Sequence, residues 1–339
     1  MKQIDLPLHF DLSNQTLLIT GGTGSYGSTF VKLVLANYPT LKQLIVYSRD
    51  EYKQLQLMTS LDQESASKVR FVIGDIRDKE ALETVFTNHT VDYVVHAAAL
   101  KHISFSESNP SEFIKTNSKG SHNIIELSKK YKVKQLVAIS TDKAATSSNV
   151  YGATKLSMEK MLLEAQKGSD TLFTAIRFGN FWASRGSVVP LFFQQFRKDG
   201  FVKVFHKEAT RYFISLDNAV RYTLQVFSKQ IGGEILVPKL SSIKIIDIAK
   251  NIAGENVVVE ALRQGEKIHE TLLSDEEMNR CLETDHEHVI FSNLLPEHKK
   301  QITERFGVTE EKVTTNLCSS ENSSWITTPY LKDMLTHTN

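Results

Sequence analysis

The sequence predicts an α/β protein: a Rossmann-type doubly wound parallel sheet with a smaller C-terminal α/β lobe. Three observations carry this. Short apolar runs alternate with helical stretches at regular spacing over the first half, the rhythm of parallel strands joined by crossover helices. Glycines 21, 24 and 27 fall directly between the first strand run and the first helical run, where such sheets bind phosphate. Beyond Leu191 the rhythm changes. That splits the 339 residues into 1–190, the dinucleotide-binding part, and 191–339, mainly a second lobe and a tail, with some strands free to return to the main sheet.

Composition is that of an ordinary globular chain, 41% hydrophobic and 23% charged, with a formal net charge of +1. No global field points to nucleic acid or an anionic membrane. Cys281 and Cys318 are too far apart for a metal motif or a disulfide framework, so a reducing cytosol is expected and no metal site is. Met1 to Asp11 lacks a basic segment followed by an apolar one, the pattern of a leader, and no apolar run is long enough to cross a bilayer.

Leu17 to Thr20 reads as the first strand and Ser28 to Asn37 as a helix. Between them Gly21, Thr23, Gly24, Ser25, Tyr26 and Gly27 form the turn whose free N–H groups suit a pyrophosphate. Leu44 to Tyr47 is the second strand. In a NAD site an acid at its end would bond the ribose 2′-hydroxyl; here Ser48 stands instead, followed by Arg49 and Lys53, which favours NADP. The other reading is a pair of surface cations balanced by Asp50 and Glu51. After strand Val69–Ile73, Asp78 suits the cap of a helix starting at Lys79, which leaves Asp75 free for an adenine amino group and Ile76 for its ring. After strand Asp92–His96, Ala97 and Ala98 are small enough for a cofactor to lie against the backbone. Lys101, just beyond, could reach a phosphate, a ribose or a sugar hydroxyl, or stand in water. Ser111 to Tyr131 reads as one long helix, in which Asn117 can support the site through backbone bonds.

The fifth strand, Gln135 to Ile139, runs into Ser140-Thr141-Asp142-Lys143, and a helix then opens on Tyr151-Gly152-Ala153-Thr154-Lys155. Tyr151 and Lys155 are four apart and share a helix face. An ammonium beside a phenol favours the phenolate, so Tyr151 can serve as a base. Alone, this spacing is common on solvated helix faces. Further strands are expected at 173–178, 202–205, 209–215, 234–237 and 256–260, and helices at 191–198, 216–227 and 243–253. Trp325 and Leu331 are the expected docking anchors of the polar tail.

Together these residues resemble the extended short-chain dehydrogenase/reductase superfamily. Within it they resemble the inverting UDP-N-acetylglucosamine 4,6-dehydratases of bacterial flagellar-glycan and capsule synthesis. The resemblance is carried by TGGTGSYG (20–27), SRDEYKQ (48–54), GDIRD (74–78), HAAALKH (96–102), STDKA (140–144), YGATK (151–155), RFGN (177–180), SRGSVVPLF (184–192), ATRYFISL (209–216), GGEILVPK (232–239) and RQGEKIHE (263–270). Relatives often carry Phe where Tyr26 stands, and small or aliphatic residues where Phe181-Trp182-Ala183 would thicken the nicotinamide-side wall.

The resemblance implies a bound NADP, UDP-N-acetylglucosamine as substrate, and homo-oligomers, hexamers built from dimers. It implies that Thr141 holds the C4 hydroxyl, Tyr151 with Lys155 takes its proton, Lys143 removes the C5 proton and Asp142 protonates the departing C6 hydroxyl. Substrate contacts carried over are Lys101, Lys143, Asn180 and Val188, with Arg211, Arg263 and Glu266 for the diphosphate and uridine ribose. Three alternatives stay open on the same residues: a 4-epimerase, a 5,6-ene-forming dehydratase and a non-catalytic NADP sensor.

Overall fold

In the computed structural model, residues 10–292, 296–306 and 317–338 are described. Met1 to His9, most of the stretch read above for a leader, lies outside them. The strands in chain order are β1 (Thr16–Thr20), β2 (Gln43–Ser48), β3 (Val69–Ile73), β4 (Tyr93–His96), β5 (Gln135–Thr141), β6 (Leu172–Phe178), β7 (Asn180–Phe181), β8 (Val202–Val204), β9 (Thr210–Ile214), β10 (Glu234–Pro238), β11 (Ser241–Lys244), β12 (Val257–Val259), β13 (Thr271–Leu273), β14 (Cys281–Glu283), β15 (Glu287–Phe291) and β16 (Leu317–Cys318).

Nine of them form one sheet, in the order β14-β15-β10-β6-β5-β4-β1-β2-β3. From β10 to β3 all pairs are parallel; β15 runs antiparallel to β10, and β14 to β15. β1, β5 and β6 are buried along nearly their whole length, as strands covered by helices on both faces must be. The chain leaves β1 for β2 and β3 on one side, then returns to β4, β5 and β6 on the other. This reversal opens a crevice at the carboxyl ends of β1 and β4, the place where open α/β sheets bind ligands.

The second core is separate. β8 with β12, and β11 with β9 and β7, enclose Val189, Phe192, Val204, Phe213, Ile243 and Ile248. The helix Thr328–Thr336 adds Leu331 and Leu335, one turn apart, and each such side chain contributes about 1.5–3 kcal/mol when fully buried. Trp325 is not an anchor of the tail: it is 39% exposed, and its neighbour Ile326 is buried in its place. The tail joins β11 by backbone pairing at Ser242, which turns the side chains of residues 325 and 326 to opposite faces.

Two other expectations change. The run 243–253 is a strand end followed by a helix, Ile245–Ala253, because Ser241 to Lys244 pairs with β9. The long helix expected from Ser111 is broken by a π-helical turn, Ile114–Lys119. Within it the Asn117 side chain accepts from the Leu100 N–H at 2.8 Å and donates to the Leu100 carbonyl at 2.9 Å, fixing the loop after β4. Asp78 caps the helix Lys79–Asn88, accepting from Ala81 N.

Candidate active site

A cleft of about 760 Å³ lies between the sheet's carboxyl edge and the second lobe. Its floor is the glycine turn. Gly21 has φ +70°, and a Cβ there would sit 2.7 Å from the Ala98 Cα, so only glycine lets β1 turn this close to the loop after β4. The turn opens the helix Ser25–Asn37, which begins three residues earlier than the sequence suggested because Ser25 to Gly27 already continue it. Tyr26 is buried, donates to Thr223 at 2.8 Å and stacks on Phe181.

At the end of β2, Ser48 accepts from Gln54 at 2.9 Å, while Arg49 and Lys53 line the cleft. Both cations are shared with carboxylates: Lys53 with Asp50 at 2.6 Å, Arg49 with Asp75 at 3.5 Å. Asp75 is therefore not free for an adenine. Its carboxylate accepts from the Arg77 N–H at 2.9 Å and from the Arg77 guanidinium at 2.7 Å, and it does not line the cleft. Although partial burial opposes it, the hydrogen bonds and charge of Arg77 hold this carboxyl below its usual range. Ile76, Ala97 and Ala98 do line the cleft.

The chemical end is built where β5 stops. Thr141 ends the strand, and Asp142 to Ala144 form one tight 3₁₀ turn. The Thr141 hydroxyl donates to Asp142 Oδ1 at 2.9 Å, and Lys143 Nζ donates to the same oxygen at 2.9 Å. Asp142 is fully buried and lies behind the cleft wall; Lys143 lines it. Lys143 also reaches Asn180 Oδ1 at 3.3 Å and Glu270 at 3.4 Å. Burial would push this amine down, but the two carboxylates win and hold it well above the usual lysine range, as an ammonium.

The helix Val150–Ala165 carries Tyr151 and Lys155. Asn149 caps it by accepting from Gly152 N at 2.8 Å, and the Asn149 amide donates to the Gly265 carbonyl at 2.8 Å, tying the helix to the 263–270 loop. Gly152 is required by close approach: a Cβ there would lie 2.2 Å from the Lys143 carbonyl. Tyr151, Lys155 and Glu159 form one column at four-residue spacing.

Lys143 is a second cation near Tyr151. Burial raises the phenol, and what pulls it back down is the Lys143 ammonium and a hydrogen bond with Thr141. Lys155 is 3% exposed, points to Met158 Sδ at 3.1 Å, and is pushed down to about 8 by burial, against the opposing pull of Glu159. On balance burial wins: the phenol stands above its usual range, with Lys143 and Thr141 opposing that rise.

Lys101 donates to the Arg185 carbonyl at 2.9 Å and lines the cleft beside Asn180 and Val188. Arg211 is more committed than a free phosphate clamp. Its guanidinium donates to the Thr210, Ile268 and Lys267 carbonyls at 2.7–2.9 Å and to Glu266 at 3.2 Å. Arg263 stacks on Phe205, 3.6 Å from the ring centroid. Phe181 lines the cleft but Trp182 does not; its ring turns into the second core, and Nε1 donates to Thr338. Only one of the two large aromatics thickens the cleft wall.

Sequence reasoning missed three groups. Arg185 lies across the glycine turn, bonding the Thr23 carbonyl and the Ser25 hydroxyl. Arg177 is fully buried between Glu159 and Glu277. Glu270 closes the RQGEKIHE motif, whose terminal acid was the available signal.

The fold and this cluster of Thr, Tyr and Lys at the sheet's carboxyl edge define the extended short-chain dehydrogenase/reductase class. The polysaccharide biosynthesis protein family matches residues 17–293. The chain is 37% identical over 336 residues, 96% of its own length and 98% of the relative's, to UDP-N-acetylglucosamine 4,6-dehydratase (inverting) of Campylobacter jejuni. It is 37% identical over 79% of its length and 80% of the relative's to UDP-glucose 4-epimerase of Rickettsia canadensis. The X-ray structure of Pen from Bacillus thuringiensis superposes with a TM-score of 0.85 at 30% identity, over 97% of this chain and 99% of that one. The chain belongs to the polysaccharide biosynthesis protein family, and within it to the inverting UDP-N-acetylglucosamine 4,6-dehydratases.

Proposed function

We propose that the protein removes water from UDP-N-acetylglucosamine across C5 and C6 with C5 inversion, giving UDP-2-acetamido-2,6-dideoxy-β-L-arabino-hex-4-ulose for bacterial glycan synthesis. The observation that supports this most is the Asp142–Lys143 pair, 2.9 Å apart beside Thr141 and on the same cleft as Tyr151.

The glycine turn, with its cradle that a Cβ at Gly21 would fill, suits NADP; Ser48 and Arg49 favour it over NAD. A bound NADP would supply a hydride acceptor for C4 and a hydride donor for C6. Tyr151 takes the C4 hydroxyl proton while Thr141 orients that hydroxyl. A C4 ketone makes the C5 proton acidic. The resting pair is an ammonium and a carboxylate, so Lys143 must first pass its proton to Asp142. With the proton on Asp142, Lys143 is a neutral base for C5 and Asp142 an acid for the C6 hydroxyl. Water loss then leaves the ammonium and the carboxylate, the ion pair found here. Reprotonation of C5 on the opposite face gives the inverted sugar.

The working site is the cytoplasm and the assembly a homo-oligomer, a hexamer by family resemblance. Among the described residues no helix is long and apolar enough to cross a membrane.

Incubating the protein and NADP with UDP-N-acetylglucosamine in deuterated water yields a product one water lighter with deuterium at C5. Unchanged mass, or retention of the original C5 hydrogen, would sink the reading. A C4 epimer formed without water loss would favour the second reading, a 4-epimerase, which the similarity to the Rickettsia protein supports.

A further inference from the structure

The acid–base pair faces a third charge. Glu270 is 1% exposed and lies just before β13. One carboxylate oxygen stands 3.4 Å from Lys143 Nζ and 3.6 Å from Arg211 Nε; the other has no hydrogen-bond partner among the described residues. Charges alternate from the sheet into the second lobe: Asp142, Lys143, Glu270, Arg211, Glu266. The backbone of Glu270 is held from both sides by Ser319, whose hydroxyl accepts from Glu270 N at 2.9 Å and whose N–H donates to the Glu270 carbonyl at 2.8 Å. A carboxylate so fixed, and buried with an ammonium, is a strong electrostatic constraint on that ammonium.

We propose that Glu270 is a positioning residue for the reaction: from the loop before β13 it holds the Lys143 ammonium over the cleft and sets the pH at which Lys143 can act as the C5 base. This rests on the dehydratase reading for its chemistry, though not for its geometry. The groups facing Lys143 are Asp142 on its own turn, Tyr151 from the helix Val150–Ala165, Asn180 from β7, Arg211 from β9, and Lys267 and Glu270 from the loop before β13. Asp142 and Glu270 favour the charged amine; Arg211 and Lys267 oppose it. Removing the Glu270 charge tips this balance toward the neutral amine.

The test is Glu270→Gln, which keeps the shape and loses the charge. The ascending limb of the pH profile for deuterium entry at C5 moves to lower pH by a unit or more. A limb that stays in place while the rate falls, or one that moves to higher pH, overturns the proposal. A second measurement needs no turnover. At one fixed pH an amine-directed reagent, read by mass spectrometry, labels Lys143 about ten times faster in Glu270→Gln than in the parent protein, because more of the amine is neutral. An unchanged labelling rate overturns the proposal even if UDP-N-acetylglucosamine proves not to be the substrate. Absent turnover with a raised labelling rate sinks the dehydratase reading alone.

Discussion

Tyr151 shows how a residue's neighbours decide what its spacing can mean. Four-residue spacing places Lys155 on the same helix face, and a second ammonium, that of Lys143, bears on the phenol from the turn after β5. A helix wheel could not reveal this, since Lys143 precedes Tyr151 by eight residues across a non-helical loop. Asp75 is similar: its position after β3 was legible, while its capture by Arg77, two residues on, depended on the local turn. Tyr151→Phe removes only the phenolic oxygen, so kcat for dehydration falls about 10²–10⁴-fold while NADP affinity holds. Single-turnover rates and a cofactor titration check this, and near-normal turnover would take the base role from Tyr151.

At the scale of elements, the helix Val150–Ala165 is anchored at its start and at its middle. Asn149 caps its start, and Glu159, further along the same face, accepts from Ser140 at 2.5 Å and from Arg177 at 2.7 Å. Arg177 also donates to Glu277 and to the Leu272 carbonyl, so one guanidinium joins β6, the Tyr151 helix, β13 and the segment after it. Alternation and apolar runs made most of the parallel strands readable. They did not reveal β13, β14 or this cluster, because short, mixed segments take their structure from partners far along the chain. Arg177→Met leaves two buried carboxylates without their cation. The expected loss is about 3–5 kcal/mol of unfolding free energy by urea denaturation, and a loss below about 1 kcal/mol would show the cluster to be dispensable.

For the molecule as a whole, β10 is the hinge of the sheet, parallel to β6 and antiparallel to β15. Glu234 at its start is fully buried, accepting from Thr174 at 2.7 Å, and burial pushes its carboxyl from 4.5 up to about 7. The folded protein thus keeps a proton that the unfolded chain releases. The resulting stabilisation is complete below pH 4.5 and is lost as the pH rises through about 7. Glu234→Gln does not titrate. Its stability relative to the parent rises by about 1–3 kcal/mol between pH 5 and pH 8, read from melts at both. A constant difference would mean that Glu234 is ionised throughout. Nothing in the strand pattern announced this acid, since a glutamate opening a strand reads as a solvated edge.

The Ser319 contact with Glu270 has a consequence for how the protein is made. The glycine turn and the Thr141–Lys143 turn both precede Ser319 in the sequence, so synthesis delivers them first. Ser319, which bonds Thr210 across 109 residues as well as Glu270, is synthesised after both turns. A nascent chain can therefore assemble its phosphate-binding turn well before its acid–base pair has its third charge. Premature release would leave a chain with that turn formed and Glu270 unclasped.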